Sequence, residues 1–134
     1  MNKNECITYF KIIGDFEPDV VSQRLGLTPD NQWRKGDKRR DGSPQEWAMW
    51  QFGQCDEYAW QTGEQMQKTI APLLSKAAEL QAIRQEFEVE FVLQIVPSLY
   101  ADQPTPNVAP SMAVIDFCHQ TRTKIDVDMY LINN

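Results

Sequence analysis

Apolar and polar positions alternate or recur along this chain with two distinct periods, and these predict its elements. Glu5 to Ile13 (ECITYFKII) is rich in β-branched and aromatic residues and predicts a first strand, ended by Gly14-Asp15. Pro18 then suits the first turn of a helix, where its missing N–H costs nothing. Val20, Val21, Leu25 and Leu27 give that helix an apolar face, and Gly26 and Pro29 stop it. Thr28 to Pro44 is polar and closes on Asp41-Gly42-Ser43-Pro44, a turn signal. Trp33 to Lys38 reads as a short strand and Glu46 to Phe52 (EWAMWQF) as another, with a hairpin around 39–45 between them.

Between Thr62 and Glu86, Met66, Ile70, Leu73, Leu74, Ala77 and Leu80 recur with the period of an amphipathic helix. Pro72 sits inside that pattern and predicts a kink or two shorter helices. Phe87 to Val96 (FEVEFVLQIV) begins as a strict alternation of apolar and glutamate positions, the mark of a strand. Pro97 to Pro110, with four prolines, reads as a loop or extended crossover. Ser111 to Thr121 predicts a short third helix with Met112, Ile115 and either Cys118 or His119 on one side. Lys124 to Ile132 predicts a last strand, with Ile125, Val127, Met129 and Leu131 on one face and Asp126, Asp128 and Tyr130 on the other. The order β-α-β-β-α-β-α-β gives an α+β fold: a mixed or mostly antiparallel sheet of about five strands with three helices on one face.

Composition narrows this picture. At 134 residues, with 42% hydrophobic and 24% charged residues, the chain has the size and make-up of a single domain, 1–134. Charges interrupt every apolar run in the first twenty residues. No stretch has the length of a membrane span, and neither a leader nor a membrane association is expected. Three well-separated cysteines (Cys6, Cys55, Cys118) are poor material for disulfides and point to a reducing, cytoplasmic setting. A net charge of −6 argues against DNA binding and permits attraction to a basic partner.

Candidate chemistry is sparse. The lone histidine, His119, follows Cys118 on a helix, where adjacent side chains point about 100° apart and cannot form a thiol–imidazole pair. No short-spaced set of Cys and His suggests zinc, and no phosphate-loop, dinucleotide or nucleophile-elbow motif occurs. No catalytic residue, metal or cofactor is therefore assigned. Two surfaces stand out. One is Trp33-Arg34-Lys35-Gly36-Asp37-Lys38-Arg39-Arg40, which concentrates five of the thirteen basic residues in an acidic chain. Such a segment serves either to hold a phosphate or an acidic patch, anchored by Trp33 or Trp47, or simply to keep a hairpin tip solvated. The other is the Asp126/Asp128/Tyr130 face, which could lie opposite Tyr9 and Lys11 if the last strand pairs with the first. It would bind a cation, divide acid and base roles, or form an ordinary cross-strand charge pair. The residues singled out are Trp33, Arg34, Lys35, Asp37, Arg39, Trp47, Asp126, Asp128 and Tyr130. Of the tryptophans, Trp47, Trp50 and Trp60 suit a core better than an interface.

Several landmarks occur together in order: Phe10-x-Ile12-x-Gly14-Asp15, Pro18, Leu25-Gly26-Leu27-x-Pro29, Lys35-Gly36-Asp37, Trp47, and Asp126-Val127-Asp128-Met129-Tyr130. With them the chain resembles a small bacterial family, domain-of-unknown-function family 4279. The resemblance implies an intracellular bacterial α+β protein and transfers no activity. By size and charge alone, the expected function is a non-enzymatic module with a protein partner, of the kind that neutralises a toxin as an immunity protein. The alternative is a small-molecule or nucleotide-binding regulatory domain using loop 33–40 and the Asp126/Asp128 face.

Overall fold

A computed structural model describes residues 3–56 and 61–133; the expectation for Trp60 lies outside them. Six strands form one mixed sheet: β1 (Glu5–Asp15), β2 (Asn31–Trp33), β3 (Ala48–Cys55), β4 (Glu88–Tyr100), β5 (Lys124–Val127) and β6 (Tyr130–Ile132). The order across it is β2-β3-β1-β4-β5, with β6 continuing along β4 beyond β5. Pairings are antiparallel from β2 to β4, whereas β5 and β6 run parallel to β4. Among the described residues four α-helices join them: α1 (Pro18–Leu25), α2 (Thr62–Ile70), α3 (Ala77–Glu86) and α4 (Met112–Thr121). The fold is α+β, and the order roughly follows the one that the sequence pattern predicts, with the long helix divided into α2 and α3 and the last strand into β5 and β6.

Helix α1 begins at Pro18 and ends at Gly26 in the left-handed conformation. The long helical pattern breaks at Pro72: α2 and α3 are separate, joined by a 3-10 segment Ala71–Lys76. Proline cannot donate to the carbonyl four residues back, so one straight helix is not available. One core joins these helices to one side of the sheet. Phe10, Ile12, Trp50, Phe91, Leu93 and Ile95 face Val21, Leu25, Met66, Ile70, Leu73, Leu80, Ile83, Val114 and Phe117. Phe10 meets Phe91 and Phe117 at centroid distances of 5.7 and 6.2 Å.

Several local expectations are corrected. The short strand before the basic loop is Asn31–Trp33, not 33–38. The only β contact within the 38–44 turn is a single bridge between Lys38 and Pro44. Strand β3 lies two to three residues later than its hydrophobic run suggests, because its ladder to β1 starts at Ala48 opposite Gly14. Strand β4 runs on through Pro97 to Tyr100. The buried face of α4 is Val114, Phe117, Cys118 and Thr121, and Met112 and Ile115 are exposed. Leu74 is exposed as well. The last strand is two short ones: after Val127 the pairing breaks beside Pro97 of β4, which has no N–H to offer. The apolar side of this segment is not covered. Ile125 packs on the core, but Val127, Met129 and Leu131 are 42%, 50% and 77% exposed. They lie at the sheet's edge.

Candidate functional site

Side chains on β-strands alternate between faces, and among the described residues all the helices lie on one face. The other face is therefore built from the odd positions of β1 (Ile7, Tyr9, Lys11, Ile13) and the residues in register with them. Registers place Tyr9 beside Gln94 and Lys11 beside Val92. Gln94 is next to Asp126, Val92 next to Lys124, and Ser98 next to Tyr130. Toward the opposite edge come Met49 and then Trp33. The β1 side chains on this face are half-buried, although no helix covers them.

The acidic end has a defined geometry. The last strand pairs with β4, not with β1, so Gln94 stands between Tyr9 and Asp126. Gln94 is 4% exposed, and its Nε2 donates to Asp126 Oδ2 at 2.9 Å and to the Asp126 carbonyl at 3.1 Å. Tyr130 Oη donates to Asp128 Oδ2 at 3.2 Å. Burial pushes the Tyr9 phenol up, helped by Asp128, Tyr130 and Asp126; the hydrogen bond to Asp128 raises Tyr130. Tyr9 thus senses the acidic pair across the intervening strand. Among the described residues no Lys or Arg forms an ion pair with Asp126 or Asp128, while Lys124 lies 3.8 Å from Glu90. The two carboxylates present negative charge with hydrogen-bond partners but no neutralising cation. Among the described residues no group of three or more His, Cys, Asp or Glu could hold a metal ion.

The basic segment is less free than its composition suggests. Arg34 is taken by two carboxylates of the α1 entry, with Nε 2.9 Å from Glu17 Oε1 and Nη2 2.5 Å from Asp19 Oδ2. Its backbone N–H is capped by Asp37 Oδ2 at 2.8 Å, so Asp37 shapes the turn. Lys35 lies 5.9 Å over the Trp47 ring and 3.9 Å from Asp15. Arg39 Nε donates to Gln45 Oε1 at 3.3 Å. Trp33 Nε1 donates to the Trp47 carbonyl at 3.0 Å, locking the two tryptophan segments together. Trp47 is 48% exposed and is not in the core; Trp50 is fully buried. A recess of about 460 Å³ lies between Trp47 and Ile13, floored by Gly14, Val89, Glu88 and Glu90.

Trp33 of the basic segment and the Asp126/Asp128/Tyr130 group, about ninety residues apart, thus lie toward opposite edges of the same helix-free side, while Arg34 turns to the entry of α1. Four interstrand steps separate β2 from β5, about 20 Å. Sequence reasoning missed Gln94, which joins Tyr9 to Asp126. Its signal was a lone polar residue within the apolar run Phe91 to Val96.

Cys118 is 6% exposed, its thiol pushed up to about 11 by burial, while His119 is exposed on the next position of α4. A buried thiol so reluctant to ionise is a packing group, not a nucleophile. The unfolded thiol loses its proton near 9.0 and the folded one near 11. Over that window the unfolded state binds fewer protons, so stability falls as pH rises. Cys6 and Tyr9, both raised chiefly by burial, act in the same direction. Urea denaturation at pH 8 and pH 10.5 is expected to show a lower midpoint at the higher pH, and Cys118→Ala should flatten that dependence. An unchanged slope in the variant would contradict the assignment.

A family model described as "Domain of unknown function (DUF4279)" matches residues 4–132, nearly the whole chain. No curated protein and no solved structure matches. Among the described residues no helix is long and apolar enough to cross a membrane.

Proposed function

The chain belongs to this family of unknown function, and we propose that it acts as a non-catalytic protein-binding module whose partner seats on the helix-free face of the sheet. The observation that carries this reading is the pair Asp126 and Asp128. They stand one strand beyond half-buried Tyr9, across Gln94, on a sheet face that carries no helix of the described residues, and among those residues they have no cation of their own. A partner that sets Arg or Lys over the two carboxylates and apolar side chains over Ile7 to Ile13 would complete both needs at once. Charge at such a rim sets partner choice and association rate, and the aromatic and apolar centre supplies affinity. The chain's net charge of −6 favours the same basic partner.

A toxin neutralised in the cytoplasm of the producing cell is the version of this partner that the chain's size and acidity favour. A nucleotide-binding domain built on loop 33–40 finds less support, since Arg34 and Lys35 already face Glu17, Asp19 and Asp15.

Affinity capture from the native cell with wild type and with Asp126→Lys/Asp128→Lys tests the surface. A specific partner is expected with wild type and a recovery at least about tenfold lower with the variant, since like charges are set against each other at the contact. Identical capture by both, with the variant folded, would overturn it. For the toxin version, the captured protein should arrest growth when expressed alone and not when co-expressed with this chain.

A further inference from the structure

On the helical side, a separate pocket of about 500 Å³ opens between the end of α3 and the end of α4. It is lined by Gln81, Arg84, Gln85, Gln120, Thr121 and Arg122. Two guanidiniums and three amides with no carboxylate form an unusual lining in a chain of net charge −6.

The contrast with the other arginines is informative. Arg24 is bound by both Glu79 and Glu86, the acids on the opposite side of α3, and Arg34 by Glu17 and Asp19. Arg84 has no carboxylate within reach among the described residues. Its guanidinium stacks 5.8 Å over the Phe91 ring, and its Nη1 is buried without a hydrogen-bond partner. Arg122 likewise has no ion pair among the described residues and stands at the C-cap of α4 in the left-handed conformation. Gln81 Nε2 donates to the Gln120 carbonyl at 2.7 Å and ties the two walls together. The pocket is thus held by its own contacts.

The plain explanation is that cations at helix C-termini offset the helix dipoles. Each dipole end amounts to about half an elementary charge, so two full positive charges more than cancel two helix ends and leave the pocket positive. We propose that this pocket binds a small metabolite through an oxyanion, a phosphate or a carboxylate. The planar forks of Arg84 and Arg122 match either group in bidentate fashion. The side-chain amides of Gln85 and Gln120 add neutral hydrogen-bond donors to the same lining. The volume lies within the usual range for small-molecule sites. This site is independent of the sheet face, which lies on the other side of the molecule.

Thermal denaturation of the whole protein is the test, with inorganic phosphate, pyrophosphate and citrate as probes and sodium chloride at matched ionic strength as control. A saturable rise in Tm at millimolar probe is expected, at least about tenfold weaker in apparent affinity for Arg122→Gln and for Arg84→Gln. Arg122 is exposed, so its variant keeps the fold if Arg84→Gln loses packing against Phe91. A response to the phosphates alone assigns a phosphate ligand, and one to citrate alone a carboxylate; either supports the site. No saturable response to any probe, or an equal response in wild type and Arg122→Gln, overturns it.

Discussion

Replacing Trp50 with alanine is expected to cost about 3–5 kcal/mol, a large share of the whole stability of a domain this size. Trp50 is 0% exposed; its ring lies parallel to Phe52 at 5.5 Å, and its Nε1 donates to Ser22 Oγ at 2.9 Å. Alanine loses the transfer energy of a large ring and leaves a cavity where β3 meets α1, which neighbours held in a close-packed core fill only in part. Trp50→Phe should cost much less. It keeps most of the apolar volume, and the Ser22 hydroxyl, only half-buried, can turn toward water. Trp47→Ala, three positions earlier and 48% exposed, is expected to stay within about 0.5 kcal/mol. Urea midpoints with unchanged m-values measure all three. A Trp50→Ala shift as small as that of Trp47→Ala would mean that the core is not where the fold places it.

The tryptophans also show what the sequence could and could not tell. EWAMWQF reads as a strand because its composition is that of a strand, but alternation alone does not choose which tryptophan faces in. Register to β1 decides: Trp50 stands opposite Ile12 on the helix side, while Trp47 lies before the first paired residue. Periodicity likewise found α4 but misjudged most of its buried side: Cys118 is buried, whereas Met112 and Ile115 are exposed. Val114, Phe117, Cys118 and Thr121 share one face at helical spacing as Met112 and Ile115 do on another, and only the packing partners separate the two. Elements with strong local signals, such as Gly26 ending α1 or Pro72 dividing the long helical run, were legible in full because their cause lies in single residues.

The candidate surface was legible in parts and not as a whole. Asp126, Asp128 and Tyr130 stood out from the strand pattern, and Trp33 and Trp47 from composition. Their placement on one side depends on β1 and β4 lying between them, which is long-range pairing that no local window carries. Charge density misled in one place. Five cations in eight residues look free in a sequence, but Glu17 and Asp19, fifteen or more positions away, fold back onto Arg34. Conversely, Arg84 and Arg122 attracted no notice in the sequence because each stands alone; the approach of two helix ends makes them a pair.

A second large effect is expected at Gly53, where the sheet and α2 come closest. Thr8 pairs with Cys55 and Phe10 with Phe52, so β3 carries one residue more than β1 between these pairs, a bulge. Gly53 lies inside it with φ +75°. The bulge interrupts the ladder, and α2 supplies hydrogen bonds there: Thr69 Oγ1 donates to the Gly53 carbonyl at 2.7 Å, and Gln65 Nε2 donates to the carbonyls of Cys6 and Cys55, each at 2.7 Å. That close approach leaves no room for a side chain, since a Cβ on Gly53 would lie 2.5 Å from the Thr69 carbonyl oxygen and 3.2 Å from Thr69 Cγ2. Gly53→Ala therefore combines about 1–2 kcal/mol of left-handed backbone cost with displacement of α2 from the polar groups it satisfies, about 3 kcal/mol in all. Gly42→Ala isolates the first of these contributions. Gly42 has φ +85° but open space around its Cβ direction, so its substitution should cost about 1 kcal/mol. Denaturation midpoints of the two variants should thus differ clearly, with Gly53→Ala the lower. Equal losses would show that α2 yields freely at the bulge, and that the Gln65 and Thr69 hydrogen bonds do not hold the helix against the sheet.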